Sequence, residues 1–267
     1  MAVTLTVLAS GSRGNCALLA SSRTRMLVDA GLSSRETLRR LRTVGEDLSA
    51  ISGIVITHEH SDHISGLWGL ARKLKIPVFM TGATHHEWMR WARNKYDGRA
   101  VLSCYEEFRS GHGFCIGDIS VQPFTIPHDA CDPVGFTFRA DGVKIGVVTD
   151  LGYMPSSVSH HIRGCDVLVM ESNHDLEMLR VGPYPWSVKQ RVMSRVGHLS
   201  NDALAQFLTG DYDGNAAFLV LAHLSEQNND PGVALRSAEK ALGPKRSLLH
   251  NRLLLASQSQ PLEPIRL

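Results

Sequence analysis

The chain lacks the features that mark secreted, membrane-spanning or disulfide-bonded proteins. Its 267 residues include only five cysteines, an odd number with no CxxC pair, so reduced thiols are expected rather than a disulfide framework. No apolar run approaches the ~18 residues of a membrane span. The first residues lack the basic and apolar regions of a signal peptide. We therefore expect a cytoplasmic protein without a membrane partner.

The chain also lacks a strong excess of either positive or negative charge. The formal net charge of +2 neither requires nor excludes a polyanionic partner, because basic residues can still cluster locally. A composition with 43% hydrophobic and 20% charged residues is ordinary for a chain that buries a full core. No linker, low-complexity tract or internal repeat divides the sequence. We expect one domain over residues 1–267, and the oligomeric state stays open.

Short β-branched runs alternate with helical patterns along the chain. Residues 53–57 (GIVIT), 167–171 and 217–222 (AFLVLA) are apolar runs of the kind found in strands buried on both faces. Further strands are predicted at residues 4–8, 25–29, 77–81, 114–127 and 134–149, the last split by a hairpin turn at Asp141-Gly142. Helices are predicted from Ser33 or Ser34, at residues 67–74, from Ser200 to Leu208 and from Pro231 to Leu242.

Two β-rich halves with helices outside them indicate an α/β protein of the αββα sandwich type. Periodicity alone does not separate this arrangement from a doubly wound sheet, so the choice depends on the motifs below. Residues after about Ala256 carry weak signals, and we expect them to be poorly ordered.

The segment THEHSDH, residues 57–63, directly follows a predicted buried strand. A loop at a strand's end can turn imidazole and carboxylate groups inward, where a divalent metal binds them together. The candidate ligands are His58, His60, Asp62 and His63. One cation rarely takes four ligands from so short a stretch, so two adjacent metal sites are predicted. The alternative, a histidine-rich surface loop, does not explain the alternation.

This HxHxDH pattern after an apolar strand resembles the signature of the metallo-β-lactamase superfamily. The other superfamily motifs occur in order, with Asp29 in LVDAG, His128 in IPHDACDPVGF, Asp150 in VVTDLG and His223 in LVLAHLS. The resemblance covers residues from about 4 to 250. It implies a metallo-β-lactamase-like αββα sandwich of two mixed β-sheets flanked by helices.

The resemblance also implies two divalent metal ions that activate a water molecule. One ion would bind His58, His60 and His128. The other would bind Asp62, His63 and His223, with Asp150 shared and Asp62 also acting in catalysis. Asp29 would brace the metal loop from behind. Nitrogen and oxygen ligands suit zinc, manganese and iron alike, and Asp129 remains an alternative ligand in the third motif.

Two further segments, residues 171–174 (ESNH) and 197–201 (GHLSN), resemble the tRNA 3′-processing branch of phosphodiesterases. By that resemblance Glu171 orients His198, and His198 protonates the departing alcohol. Ser200 and Asn201 would lie at a helix N-terminus suited to a phosphate. The alternative is that Ser200 only caps the helix and that His198 is a loop histidine.

Longer strings, SGSRGNC, PHDACDPVGF, GPYPWSVKQR and GHLSN, resemble the YycJ/WalJ-like family. That resemblance implies a 5′-to-3′ exonuclease acting on double-stranded DNA, with manganese or zinc in the site. Ser12 and Asn15 lie in a Gly/Ser loop whose backbone N–H groups could cradle a terminal phosphate, although a plain turn is the alternative. The third motif, PHDA, departs from the GHT of many superfamily members.

Two other functions compete with nucleic-acid hydrolysis. The first is hydrolysis of a small molecule by a thioesterase or a cyclic phosphodiesterase, because the superfamily fold hosts several chemistries. The second is a metal-bound scaffold without turnover, which would not need an open two-metal site. The sequence therefore favours a metal-dependent phosphodiesterase.

Overall fold

The computed structural model describes residues 3–243 and 251–267, which form two seven-stranded sheets. The first sheet contains β1 (Thr4–Ala9), β2 (Cys16–Ala20), β3 (Arg25–Val28), β4 (Ile51–Val55), β5 (Val78–Met80), β6 (Tyr105–Glu107) and β14 (Ile265–Arg266). The second contains β7 (Phe114–Ile116), β8 (Ile119–Thr125), β9 (Val134–Ala140), β10 (Val143–Val148), β11 (Val167–Glu171), β12 (Phe218–Ala222) and β13 (Arg252–Leu255).

Helices cover the outer faces of the two sheets. They are α1 (Ser34–Thr43), α2 (Ser61–Ile64), α3 (Leu67–Leu74), α4 (Gly82–Lys95), α5 (Ser156–Ile162), α6 (Leu176–Val181), α7 (Trp186–Val192), α8 (Asn201–Thr209) and α9 (Pro231–Leu242). Ser33 caps α1 by accepting the Glu36 N–H, and Pro231 begins α9 behind an Asp230 cap, as such residues do at helix starts.

Both sheets are mixed. In the first, β3, β4, β5 and β6 run parallel while β14, β1, β2 and β3 pair antiparallel. In the second, β10 to β13 run parallel while β7 to β10 pair antiparallel. Parallel strands buried on both faces explain the continuous apolar runs in the sequence.

Three apolar clusters hold the layers together. One lies between the sheets and includes Phe136 and Phe138. The other two lie outside the sheets, under α1, α3 and α4 on one side and under α5, α8 and α9 on the other. Each fully buried Leu or Phe contributes roughly 1.5–3 kcal/mol relative to an exposed one. The predicted αββα sandwich is therefore confirmed.

Three local expectations were wrong or incomplete. The segment after His60 is not all loop, because Ser61–Ile64 forms the one-turn helix α2. The last residues are ordered, since Ile265 pairs with Leu5 at the edge of the first sheet. The predicted strand over residues 114–127 is a hairpin of β7 and β8.

The cysteines are all unpaired, with Cys16 and Cys165 buried and the other three exposed, which agrees with the expected reduced thiols. Within residues 3–243 and 251–267, no helix has the length and apolar character needed to cross a bilayer.

Candidate metal centre

The candidate residues meet at one edge of the sandwich because of where the strands end. His58 follows β4, and His128 follows β8. Asp150 follows β10, Glu171 ends β11, and His223 follows β12. Carboxyl ends of neighbouring parallel strands lie at the same edge of a sheet, which is the usual place for a site in such folds. The backbone N–H of Val134 donates to the carbonyl of Thr57 at 3.0 Å, which ties the two sheets together there.

Asp29, Asp150 and His223 have a left-handed backbone conformation. The φ angles are +62° at Asp29, +61° at Asp150 and +54° at His223. Non-glycine residues adopt this region at a cost of order 1–3 kcal/mol, and such strain collects at functional sites. All three lie just after strands, so each sharp turn aims a side chain across the edge of the sandwich.

The one-turn helix α2 presents Asp62 and His63 toward this edge. The loop after β3 packs against it so closely that a Cβ atom on Gly31 would lie 1.6 Å from the Asp62 carbonyl oxygen. The N–H of Asn15 also donates to that carbonyl at 2.7 Å. The conformation of α2 is therefore determined by two loops of the first sheet.

Four histidines are held through Nδ1 by groups behind them. His63 Nδ1 lies 2.8 Å from Asp29 Oδ2, and His58 Nδ1 lies 3.0 Å from Thr57 Oγ1. His128 Nδ1 lies 3.1 Å from the Gly197 carbonyl, and His223 Nδ1 lies 2.9 Å from Glu171 Oε1. Carbonyl and carboxylate oxygens only accept, so His63, His128 and His223 carry their proton on Nδ1 and turn Nε2 toward the edge. This is the orientation of metal-binding histidines in proteins.

The opposite atoms of these residues converge into groups able to bind a metal. One group contains His58, His60 and His128, and a second contains Asp62, His63, Asp150 and His223. Within each group the ligand atoms lie within 4.8 Å of one another. His128 Nε2 lies 3.2 Å from His60 Nδ1, and His223 Nε2 lies 3.4 Å from Asp62 Oδ2. The structure thus brings together all seven ligands expected from the sequence.

The side chains fit divalent cations. His58 Nε2 and Asp150 Oδ2 are buried without a hydrogen-bond partner among the described residues, and leaving such atoms unmatched costs stability. Burial is the main reason that the pKa of His58 is well below its usual value, and burial likewise lowers the pKa of His128. Neutral imidazoles beside carboxylates are the donors that zinc, manganese or iron would bind.

Opposite charges pair within the second group. Burial opposes ionisation of Asp62 and Asp150, but the neighbouring histidines outweigh it and lower the pKa of both carboxyl groups. The same carboxylates outweigh burial and raise the pKa of His63 and His223 well above its usual value, so a cation bound here would take the place of protons on these imidazoles. Buried charges of this kind are either paired or bound to metals.

Glu171 connects the metal residues to His198. Its Oε1 accepts from His198 Nδ1 at 2.8 Å as well as from His223 Nδ1. Burial works against a charged imidazole, but the Glu171 carboxylate outweighs it and raises the pKa of His198. The His198 side chain retains 20% exposure, so its ring reaches the surface of the site.

Asp129, the alternative ligand, lies outside both metal-binding groups. Its Oδ2 pairs with Arg191, and its backbone N–H donates to the Val196 carbonyl at 3.0 Å. The neighbouring Glu59 accepts the N–H of Cys131 at 2.8 Å. These bonds join the third motif to α7 and to the metal loop.

The residues expected to bind phosphate are placed differently from one another. Asn15 is buried, with Nδ2 3.1 Å from His63 Nε2, and the Ser200 hydroxyl caps α8 at the Ala203 N–H. The Asn201 side chain is buried and bonded to Ser172 and Asn229, so it is not exposed to a phosphate. Ser12 alone among the four is exposed.

Sequence reasoning gave no role to three residues that hold this centre. Thr57 Oγ1 lies 3.0 Å from both oxygens of Asp29 and also contacts His58. Asn173 Nδ2 donates to the His223 carbonyl at 2.8 Å, and Ser10 Oγ accepts the His223 N–H at 2.7 Å. The position of Thr57 directly before the first ligand was the one available signal.

A sandwich of two mixed sheets with this ligand set at one edge defines a hydrolase of the metallo-β-lactamase fold. Residues 24–223 match the β-lactamase superfamily domain, a span that contains the seven residues expected to bind metal. The solved structure of the metallo-β-lactamase fold protein YhfI from Bacillus subtilis superimposes with a TM-score of 0.73 at 16% identity, covering 98% of this chain and 99% of that one.

Two curated relatives narrow the class. The exodeoxyribonuclease YycJ of Bacillus anthracis is 37% identical over 245 residues, which is 92% of this chain and 91% of YycJ. The exodeoxyribonuclease WalJ of Streptococcus pneumoniae is 36% identical over 223 residues, 84% of this chain and 82% of WalJ. The chain belongs to the β-lactamase superfamily and, within it, to the family of YycJ and WalJ.

Proposed function

We propose that this protein is a metal-dependent phosphodiester hydrolase that digests double-stranded DNA from the 5′ end. The observation that carries the proposal is the bonding of Glu171 to both His198 and His223. It places a histidine suited to proton delivery beside a group of metal ligands. The names of YycJ and WalJ support DNA as the substrate. We also propose one domain and a cytoplasmic location.

Two divalent ions, zinc or manganese, are part of the proposal. One would bind His58, His60 and His128, and the other would bind Asp62, His63 and His223, with Asp150 shared. When bound, such a pair lowers the pKa of a water molecule and neutralises charge on the phosphate. Asp62 would bind the second ion and would also act in catalysis. Asp29 and Thr57 hold the imidazoles in the orientation that this requires.

The chain's own contribution to bond cleavage is made at His198. Glu171 accepts from Nδ1 of His198, so Nε2 of the ring is the atom directed away from that carboxylate. A protonated His198 donates from Nε2 to the 3′-oxygen as the phosphodiester breaks. A departing alkoxide needs such an acid, and the effect is typically 10²–10⁴-fold in rate.

The proposal is tested with duplex DNA carrying a label at either the 5′ or the 3′ end, in the presence of manganese or zinc. We expect release of a labelled small product from the 5′-labelled duplex first. Asp150→Ala should abolish digestion, while Asp211→Ala, an exposed carboxylate beyond α8, should not alter it. Metal analysis of the same samples should give close to two ions per wild-type chain.

Hydrolysis of S-lactoylglutathione or of cyclic nucleotides, without digestion of DNA, would contradict the proposal and favour a small-molecule hydrolase. If digestion starts at the 3′ label, the protein is still a nuclease, but the proposed 5′-to-3′ polarity is wrong.

A further inference from the structure

An exposed aromatic–arginine pair lies beside the metal centre. The guanidinium carbon of Arg195 lies 4.2 Å from the centroid of the Tyr153 ring, and Tyr153 is 36% exposed. Tyr153 comes three residues after Asp150, and Arg195 comes three residues before His198. Three extended residues span at most about 10 Å, so the pair is within a nucleotide or two of the proposed reaction.

The pair is fixed to the site by close backbone packing. A Cβ atom on Gly152 would lie 2.3 Å from the backbone carbon of Arg195, and the Gly152 N–H donates to the Pro127 carbonyl at 2.9 Å. The Asp129 N–H binds the Val196 carbonyl. The segment that carries Arg195 is thus packed against Gly152, two residues after Asp150, and bonded to Asp129, the residue after His128.

The polar groups of this pair remain available to a ligand, whereas the neighbouring arginines are already in ion pairs. Among residues 3–243 and 251–267, the Tyr153 hydroxyl and the Arg195 guanidinium make no hydrogen bond or ion pair, and their contact is with each other. Arg191 is paired with Asp129, and Arg13 is paired with Glu226. Arg195 therefore offers a charge at the edge of the centre that no carboxylate of the described chain neutralises.

We propose that the Tyr153–Arg195 pair binds the nucleotide next to the scissile phosphodiester, with the base on the Tyr153 ring and the phosphate on Arg195. The inference rests on the proposed nuclease function. Base stacking on an aromatic ring tolerates any base, and a guanidinium forms paired hydrogen bonds with phosphate oxygens. Neither contact reads base edges, so the pair suits an exonuclease that must digest successive nucleotides of any sequence.

The experiment compares kinetics on duplex DNA at several salt concentrations with kinetics on bis(p-nitrophenyl) phosphate, which has no neighbouring nucleotide. Tyr153→Ala should raise KM for DNA roughly 10- to 100-fold, whereas Tyr153→Phe should restore it because the ring remains. Arg195→Ala should reduce the slope of log(kcat/KM) against log[salt] by about 0.9, and Arg195→Lys should restore the slope. Losses on the chromogenic diester should be much smaller.

The matched control is Arg180→Ala, since Arg180 is an exposed arginine of α6 paired with Glu177 and should leave both substrates unaffected. The inference is overturned if Tyr153→Ala and Arg195→Ala behave like this control on DNA. Equal losses on both substrates would assign the pair a purely structural role and also overturn it. If the variants keep the wild-type KM for DNA but change in sedimentation mass, the pair instead forms a contact between two copies of the chain. A wild-type protein that cleaves the chromogenic diester but not DNA would instead overturn the proposed function, and this inference with it.

Discussion

Glu171 is fully buried at the end of β11, and its two oxygens accept four hydrogen bonds. Oε1 accepts from His198 and His223, and Oε2 accepts from the N–H groups of Leu151 and Leu199. One carboxylate therefore orients the proposed acid, a proposed metal ligand and the backbone after β10. The sequence resemblance gave it only the first of these roles.

Because Glu171 bonds both His198 and His223, His198→Ala and Glu171→Ala should differ in metal content, in stability and in rescue by a chromogenic substrate. His198→Ala should retain both metals and lose roughly 10²–10⁴-fold in rate on DNA. A p-nitrophenyl phosphodiester should recover much of that loss, because nitrophenolate leaves without a proton. Glu171→Ala should also lower the free energy of unfolding by about 3–5 kcal/mol, since it removes a buried, hydrogen-bonded charge. Its metal content should fall, and the chromogenic substrate should not rescue it.

The measurements are kinetics on both substrates, metal analysis and urea unfolding. Equal losses of His198→Ala on the two substrates would remove the acid role from His198 and leave it a phosphate-positioning or metal-supporting group. A stable, metal-loaded Glu171→Ala would show that His223 does not depend on Glu171.

Single residues also show how far the sequence could predict the site. The seven proposed ligands follow from motif order, because each motif places its residue next to a strand end. Thr57, Asn173 and Ser10 could not be identified in this way, since their roles depend on contacts with residues distant in sequence. Asn201 follows a helix cap in sequence, yet its side chain turns into a buried amide network with Asn229.

At the scale of elements, the most reliable predictions are those with a strong local signal. The structure reproduces Leu67–Leu74 and Pro231–Leu242 because an apolar stripe or a proline start marks them. Elements without such a signal were missed. Cys16–Ala20 is buried at every position and shows no alternation, and Ile265–Arg266 is a strand only because β1 pairs with it.

The helix Gly82–Lys95 was missed for another reason. Its fully buried positions, Thr84, Trp88 and Ala92, recur every four residues, but only Trp88 is large and apolar. The remaining positions are rich in histidine, arginine and glutamate, so the apolar stripe is weak in the sequence. The one-turn helix α2 is similarly determined by contacts with the Gly31 and Asn15 loops rather than by helix propensity.

The packing of α2 gives a prediction at this scale. Gly31→Ala would place a methyl group 1.6 Å from the Asp62 carbonyl oxygen and 2.6 Å from the Asn15 nitrogen. Because both neighbours are backbone atoms, α2 must move as a unit. We expect a loss of unfolding free energy of about 1–3 kcal/mol or more and weaker binding of the metal that Asp62 and His63 would hold.

The control is Gly210→Ala, where the new methyl group would approach nothing closer than 3.4 Å, the Gln206 carbonyl. Urea unfolding and competition titration with a zinc indicator measure the two effects. If Gly31→Ala binds metal as the wild type does, the position of α2 does not control the second site.

At the scale of the whole molecule, the metal centre joins the two sheets. His58, His60, Asp62 and His63 follow strands of the first sheet, whereas His128, Asp150 and His223 follow strands of the second. The group of His58, His60 and His128 and the group of Asp62, His63, Asp150 and His223 each draw residues from both sheets. A cation bound in either group would therefore link the halves of the sandwich, and one bound in the second group would neutralise the carboxylates of Asp62 and Asp150.

Removal of metal should consequently destabilise the entire fold rather than a single loop. A ligand that binds only the native state stabilises it by about 4 kcal/mol when its free concentration is a thousand times its dissociation constant. We expect chelation to lower the unfolding midpoint of the wild-type protein as one cooperative transition, and added zinc or manganese to restore it. Asp150→Ala should show a much smaller shift because it removes the shared ligand, while Asp211→Ala should respond as the wild type does. Calorimetric scans with and without chelator measure the shift. An unchanged midpoint, or a separate transition confined to one sheet, would mean that the cations do not hold the two sheets together.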